Sequence, residues 1–125
     1  MKDLSTREDI QLLVNTFYEK IKNDELLSPI FSHVDWEKHL PIMYDFWDAV
    51  LFGRGTYGRN AFIPHWNVHQ KTPLQQYHFG KWLFLFHQTL DELFVGENTE
   101  IAKQKSTQIG QTLYIRLNGG IQIEK

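Results

Sequence analysis

The spacing of apolar residues near the N-terminus constrains this chain more than any other feature. Ile10, Leu13, Val14, Phe17 and Ile21 recur at i, i+3, i+4, i+7 and i+11. A helix turns once in about 3.6 residues, so this period puts all five side chains on one face. Glu19, Lys20 and Lys22 fall off that face. Ser5, with Glu8 three residues on, reads as a capping box that opens the run. Asn23-Asp24 ends the helix, and Pro29 in Ser28-Pro29-Ile30-Phe31 begins a new turn.

The same period returns along the chain. Trp36, His39, Leu40, Met43, Phe46, Trp47, Val50 and Leu51 mark a second helix, opening near Asp35 and closing before Gly53. Pro41 lies six residues in, which predicts a distorted opening. Thr72-Pro73 with Gln75 reads as the start of a third helix reaching about Phe94, stopped by Gly96. Its inner face carries Leu74, Trp82, Leu83, Leu85, Phe86, Leu90 and Leu93. Asn98 is the expected cap of a last helix, with Ile101, Ala102, Ile109, Leu113 and Leu117 inward and Asn118-Gly119-Gly120 at its end. Residues 60–71 predict one or two helical turns and a loop. No segment sustains period-two alternation, so the fold class is all-α: four main helices and a short fifth element.

Length and charge remove whole classes of function. A chain of 125 residues predicts one domain over 1–125, its core at about 8–117 and its C-terminal tail frayed. The formal net charge is -2, and without a basic excess a nucleic-acid partner is not expected. There are no cysteines, which removes disulfide scaffolds, Cys-ligated zinc, iron–sulfur clusters and thiol catalysis and fits a reducing compartment. No apolar run approaches the ~20 residues of a membrane span. The polar stretch Met1 to Glu8 does not read as a signal peptide. A cytoplasmic protein, monomeric or weakly dimeric, is the expectation.

Aromatic residues are 14% of the chain, beside six histidines. That composition suits an ordinary aromatic core or a flat apolar cofactor slot. Other metal chemistry fails on spacing. No Glu is followed by His at the third position, as a carboxylate-bridged di-iron bundle needs. His65 and His69 are four apart, but Trp66 stands where a zinc protease places its Glu. Haem asks for an axial His on a short element and an apolar slot between helices. Residues 60–69 offer the His. Phe31, Met43, Phe46, Trp47 and Trp82 could line the slot, and Tyr18, His39 and Trp82 carry hydrogen-bond donors.

Taken together, these pieces resemble the truncated haemoglobins, specifically group III. The resemblance covers about residues 8–117. It rests on Phe17-Tyr18-Glu19-Lys20-Ile21, Leu27-Ser28-Pro29-Ile30-Phe31, Trp36-Glu37-Lys38-His39, Asp45-Phe46-Trp47, Asn60 through His65, and His78-Phe79-Gly80-Lys81-Trp82-Leu83 with Leu85-Phe86. The ordered set is specific where each piece alone is weak. The glycine-glycine pairs that group I and II members usually carry near the first and second interhelical loops are missing, as in group III.

The resemblance implies a two-over-two helical sandwich holding haem b. It implies His65 as the proximal iron ligand, with His69 its rival. Pro64 restrains the backbone of Ile63 toward extended geometry just before it. On the distal side it implies Tyr18 as the main donor to a gaseous ligand, with the Trp82 indole N–H aimed at the same place. His39 would gate entry or add a hydrogen bond, Met43 would pack over the ligand, and Phe31 would meet the porphyrin edge. Arg54, Arg59 and Lys38 are candidate partners for the haem propionates. His78 and His87 are expected at the surface or between helices.

The implied function is binding of dioxygen, nitric oxide or related small ligands, in nitrosative-stress or peroxide chemistry. The chain contains no reductase module, so turnover would draw electrons from an external reductase. Two other readings stay open from the residues alone. One is a haem-based sensor or interaction domain acting through a partner. The other is a haem-free helical module that takes an apolar ligand in its aromatic pocket.

Overall fold

Among the described residues, four α-helices form where the apolar spacing puts them. The computed structural model describes residues 1–32, 34–54 and 74–117. Helix α1 spans Arg7–Lys22, and a 3-10 turn follows at Ser28–Phe31. Helix α2 spans Trp36–Phe52, α3 spans Gln76–Leu93 and α4 spans Glu97–Leu117. Helix α1 packs on α2 and on α3, α4 packs on α3, and α2 also meets α4. These contacts fit the two-over-two arrangement that the resemblance implies. No strand occurs among the described residues.

The predicted face of α1 is the centre of the core. Ile10, Leu13, Val14, Phe17 and Ile21 are all fully buried. Each such side chain contributes about 1.5–3 kcal/mol relative to exposure, so this face alone gives α1 a strong reason to dock. Phe86 and Leu90 from α3, Ala102 from α4 and Trp47 from α2 close around it.

The helix ends differ from the sequence expectations in instructive ways. Thr6, not Ser5, caps α1, and its reciprocal partner is Asp9, not Glu8. The shorter Asp side chain turns back and accepts from the backbone N–H groups of Thr6 and Ser5 at 3.0 Å each. Glu8 points to solvent. Asp35 stands at the N-cap of α2 without a side-chain cap bond, and α2 runs on through Pro41. Gly53 closes α2 in the left-handed region at φ 64, which glycine adopts without steric cost. Helix α3 starts at Gln76, later than the Thr72-Pro73 signal places it. Gln75 is its cap and His78 the reciprocal partner, with Nδ1 accepting the Gln75 N–H at 2.8 Å. Thr72 and Pro73 lie outside the described residues.

The largest departure is at the start of α4. Asn98 does not cap it; Asp3 does, from the other end of the chain. The Asp3 carboxylate accepts from the N–H of Asn98 at 2.9 Å, the N–H of Thr99 at 3.0 Å and the Thr99 hydroxyl at 2.8 Å. The Asn98 amide instead donates to the Leu4 carbonyl at 2.9 Å. Gly96 makes room for this clasp. It sits at φ 144, and a Cβ there would fall 2.5 Å from the Asp3 carboxyl carbon. Burial would raise the Asp3 carboxyl, but the donors from Asn98, Thr99 and Leu4 outweigh it and hold it below the usual carboxylate range.

Candidate functional site

Phe17 and Tyr18 leave α1 toward two different aromatic groups. Phe17 meets Trp82 edge-on at 5.5 Å and Phe86 at 5.0 Å. Trp82 lies parallel to Phe86 at 5.5 Å, and Trp47 stacks on Phe86 at 4.7 Å and on Trp82 at 6.3 Å. Phe46 meets Trp47 edge-on at 5.0 Å. Three helices thus build one wall of stacked rings. Its inner members Phe17, Trp47 and Phe86 are buried, while Phe46 and Trp82 are half-buried.

The second group gathers around Tyr18. Its ring lies 5.1 Å from Trp36, 5.5 Å from His39 and 6.2 Å from Phe31. Trp36 also stacks on Phe31 at 6.0 Å and meets His39 edge-on at 5.5 Å. The 3-10 turn brings Phe31 here, and the first turn of α2 brings Trp36 and His39. Tyr18 is buried, whereas Phe31, Trp36 and His39 are half-buried. Burial pushes the Tyr18 phenol well above its ordinary range, so at neutral pH the hydroxyl keeps its proton and can donate.

Further large side chains meet the core from the neighbouring helices: Met43 and Phe46 on α2, and Phe79 and Trp82 on α3. All four are half-buried and packed on the core. The result is an apolar wall of rings beside one buried phenol and one imidazole. It suits a flat apolar group carrying a small polar ligand.

Residues 3–114 match the family model for the bacterial-like globins. The chain is a bacterial-like globin. It is 29% identical over 109 residues to the group 3 truncated haemoglobin ctb of Campylobacter jejuni subsp. jejuni serotype O:2, which covers 82% of this chain and 84% of that relative. The crystal structure of a group III truncated haemoglobin from Campylobacter jejuni superposes with a TM-score of 0.83 at 29% identity, over 94% of this chain and 95% of that one. The truncated-globin fold and the group III resemblance read from the sequence both hold.

Within this globin, Tyr18, Phe31 and His39 come together as one group. Trp47 and Trp82 belong to the stacked wall, with Phe46 against Trp47. Met43 lies on the same face of α2, one turn beyond His39. His65, His69 and Arg59 lie outside the described residues. Of the propionate candidates, Arg54 is committed elsewhere: its Nε donates to Asp48 and its Nη1 to the Ser5 carbonyl, each at 2.8 Å. Arg7 completes that network by bridging Asp48 and Asp45. Lys38 is exposed on α2. His87 is interhelical, its Nε2 lying 3.1 Å from the Lys103 carbonyl and 3.2 Å from the Ser106 hydroxyl. His78 is buried in the α3 cap, and burial lowers its pKa.

The residue that sequence reasoning left without a role is Trp36. It touches every other member of the Tyr18 group. The signal was present, since Trp36 and His39 are three apart and share a helix face. Among the described residues, no helix is long and apolar enough to cross a membrane.

Proposed function

We propose that this globin binds haem b, with His65 the residue that would hold its iron and Tyr18 the residue that would donate to a small ligand such as dioxygen or nitric oxide. The observation that carries the reading is the buried, protonated Tyr18 hydroxyl-bearing ring, walled by Phe31, Trp36 and His39 beside an apolar face. When bound, haem supplies an iron that coordinates small gases and exchanges electrons. Phe31, Met43, Phe46, Trp47 and Trp82 would hold its ring by apolar contact, and His69 is the alternative axial residue. The zero cysteines support a cytoplasmic setting.

The chain's own residues then act on polarity. Tyr18 donates a hydrogen bond, and the Trp82 indole N–H and the His39 imidazole are the further donors. Each well-aimed donor contributes about 0.5–1.5 kcal/mol net, more toward a charged acceptor. Two of them would slow release of a partly negative ligand by about fivefold to about 150-fold. Carbon monoxide carries less charge and gains less. Such a pocket suits conversion of reactive ligands better than rapid delivery. The reaction we favour joins nitric oxide and dioxygen to nitrate, with one electron drawn from an external reductase. Peroxide reduction is the competing chemistry.

Stopped-flow mixing of the dioxygen-loaded ferrous protein with nitric oxide tests this, with a chemical reductant for turnover. Nitrate formation well above that of free haemin is expected. A rate no greater than free haemin would overturn the catalytic claim.

A further inference from the structure

We infer that Trp36 is a positioning residue that sets the orientation of the His39 imidazole and thereby the rate at which small ligands enter. This rests on the distal-site reading of Tyr18 and His39 given above. Trp36 is the first residue of α2, so its backbone N–H has no partner within the helix. Its position is fixed by side chains instead. Its indole is stacked on Phe31 at 6.0 Å and tilted against Tyr18 at 5.1 Å, and the Lys22 ammonium lies 4.9 Å from its ring centre. Those contacts reach it from the 3-10 turn and from both the middle and the end of α1.

The same indole then meets His39 edge-on at 5.5 Å and 79°. Tyr18 faces His39 at 5.5 Å and 82°. The imidazole therefore packs in a triangle with two aromatic rings that also touch each other, each nearly perpendicular to it. Edge-to-face geometry is directional, so removing one ring widens the orientations open to His39. Tyr18 is anchored in the core. Trp36 is half-buried at the helix start, and its neighbours Phe31 and Lys22 lie toward solvent.

The test is a double-mutant cycle on the haem-loaded protein with carbon monoxide as probe. Bimolecular association is followed by flash photolysis, and the C–O stretch by infrared spectroscopy. Trp36→Ala should speed association by about fivefold or more and split or shift the C–O band. In a His39→Ala background the same substitution should change association by less than about twofold, because the group it acts through is gone. Trp36→Phe keeps a ring and should return the rate to within about twofold of the parent. That variant keeps the cycle readable if Trp36→Ala folds poorly. Equal effects of Trp36 substitution with and without His39, or no effect in either background, would overturn the inference while leaving the globin reading intact. Failure of the parent chain to take up haem would overturn the distal-site reading itself, and the inference with it.

Discussion

Phe17 and Tyr18 are adjacent in the chain, yet they organise aromatic groups of opposite character. The Phe17 group is a floor: Trp47 and Phe86 stack flat against each other, and both are nearly inaccessible. The Tyr18 group is a rim: its rings meet mostly edge-on or tilted, and only Tyr18 itself is buried. Consecutive helical residues point about 100° apart, so one helix can serve both. The floor gains its energy from burial. The rim trades part of that burial for access and for polar atoms a ligand could reach.

The largest expected effect separates floor from rim by stability. Phe86→Ala should cost about 3–5 kcal/mol in urea denaturation, because it opens a cavity among fully packed rings. Phe31→Ala, at the half-buried rim, should cost about 1 kcal/mol. Equal costs would erase the distinction.

Ligand release should divide the two groups the other way. Tyr18→Phe keeps the ring and removes the hydroxyl, so dioxygen dissociation should quicken about tenfold while stability changes by no more than about 1 kcal/mol. If Trp82→Phe changes dissociation and Tyr18→Phe does not, the polar chemistry belongs to the wall instead.

The N-terminal clasp contacts neither group and serves as a control. Asp3→Ala should cost about 1 kcal/mol through the lost α4 cap and leave dioxygen dissociation unchanged. Acid should weaken the same region. Burial would raise the Asp9 carboxyl, but Lys2 and the Thr6 and Ser5 donors outweigh it and hold it at about 2. Its folded pKa lies below the unfolded value, so its contribution is present above about pH 4 and is lost as pH falls toward about 2. An Asp9→Asn variant should show a smaller loss of stability across that window when denaturation is followed by circular dichroism.

The smallest effect is expected at Lys22→Met. It removes the cation beside Trp36 and should cost about 0.5 kcal/mol, with little change in floor packing.

What the sequence made readable follows the range of each interaction. The buried face of α1 is a local pattern, and all five of its residues were legible from spacing alone. The cap of α4 was not, because its acceptor comes from Asp3, 95 residues away from Asn98. The α1 cap was misplaced by one residue for a subtler reason. Thr6 with Asp9 and Ser5 with Glu8 carry the same signature, and only the carboxylate's bonds to Ser5, Thr6 and Lys2 choose between them. At the site, Tyr18, Phe31 and His39 were named from a resemblance and come together in space. Trp36 was missed because its role depends on contacts from the 3-10 turn and from α1 as well as on His39 of its own helix.

Haem binding through His65 is tested most directly by titrating haem into the purified chain. Ferric, dithionite-reduced and carbon monoxide spectra would be recorded for the parent, His65→Ala and His69→Ala. The expected result is stoichiometric uptake, with a Soret band that moves on reduction and again with carbon monoxide, and that His65→Ala alone disrupts. Disruption by His69→Ala alone would move the axial ligand by one turn. A parent chain that takes up no haem would contradict the account.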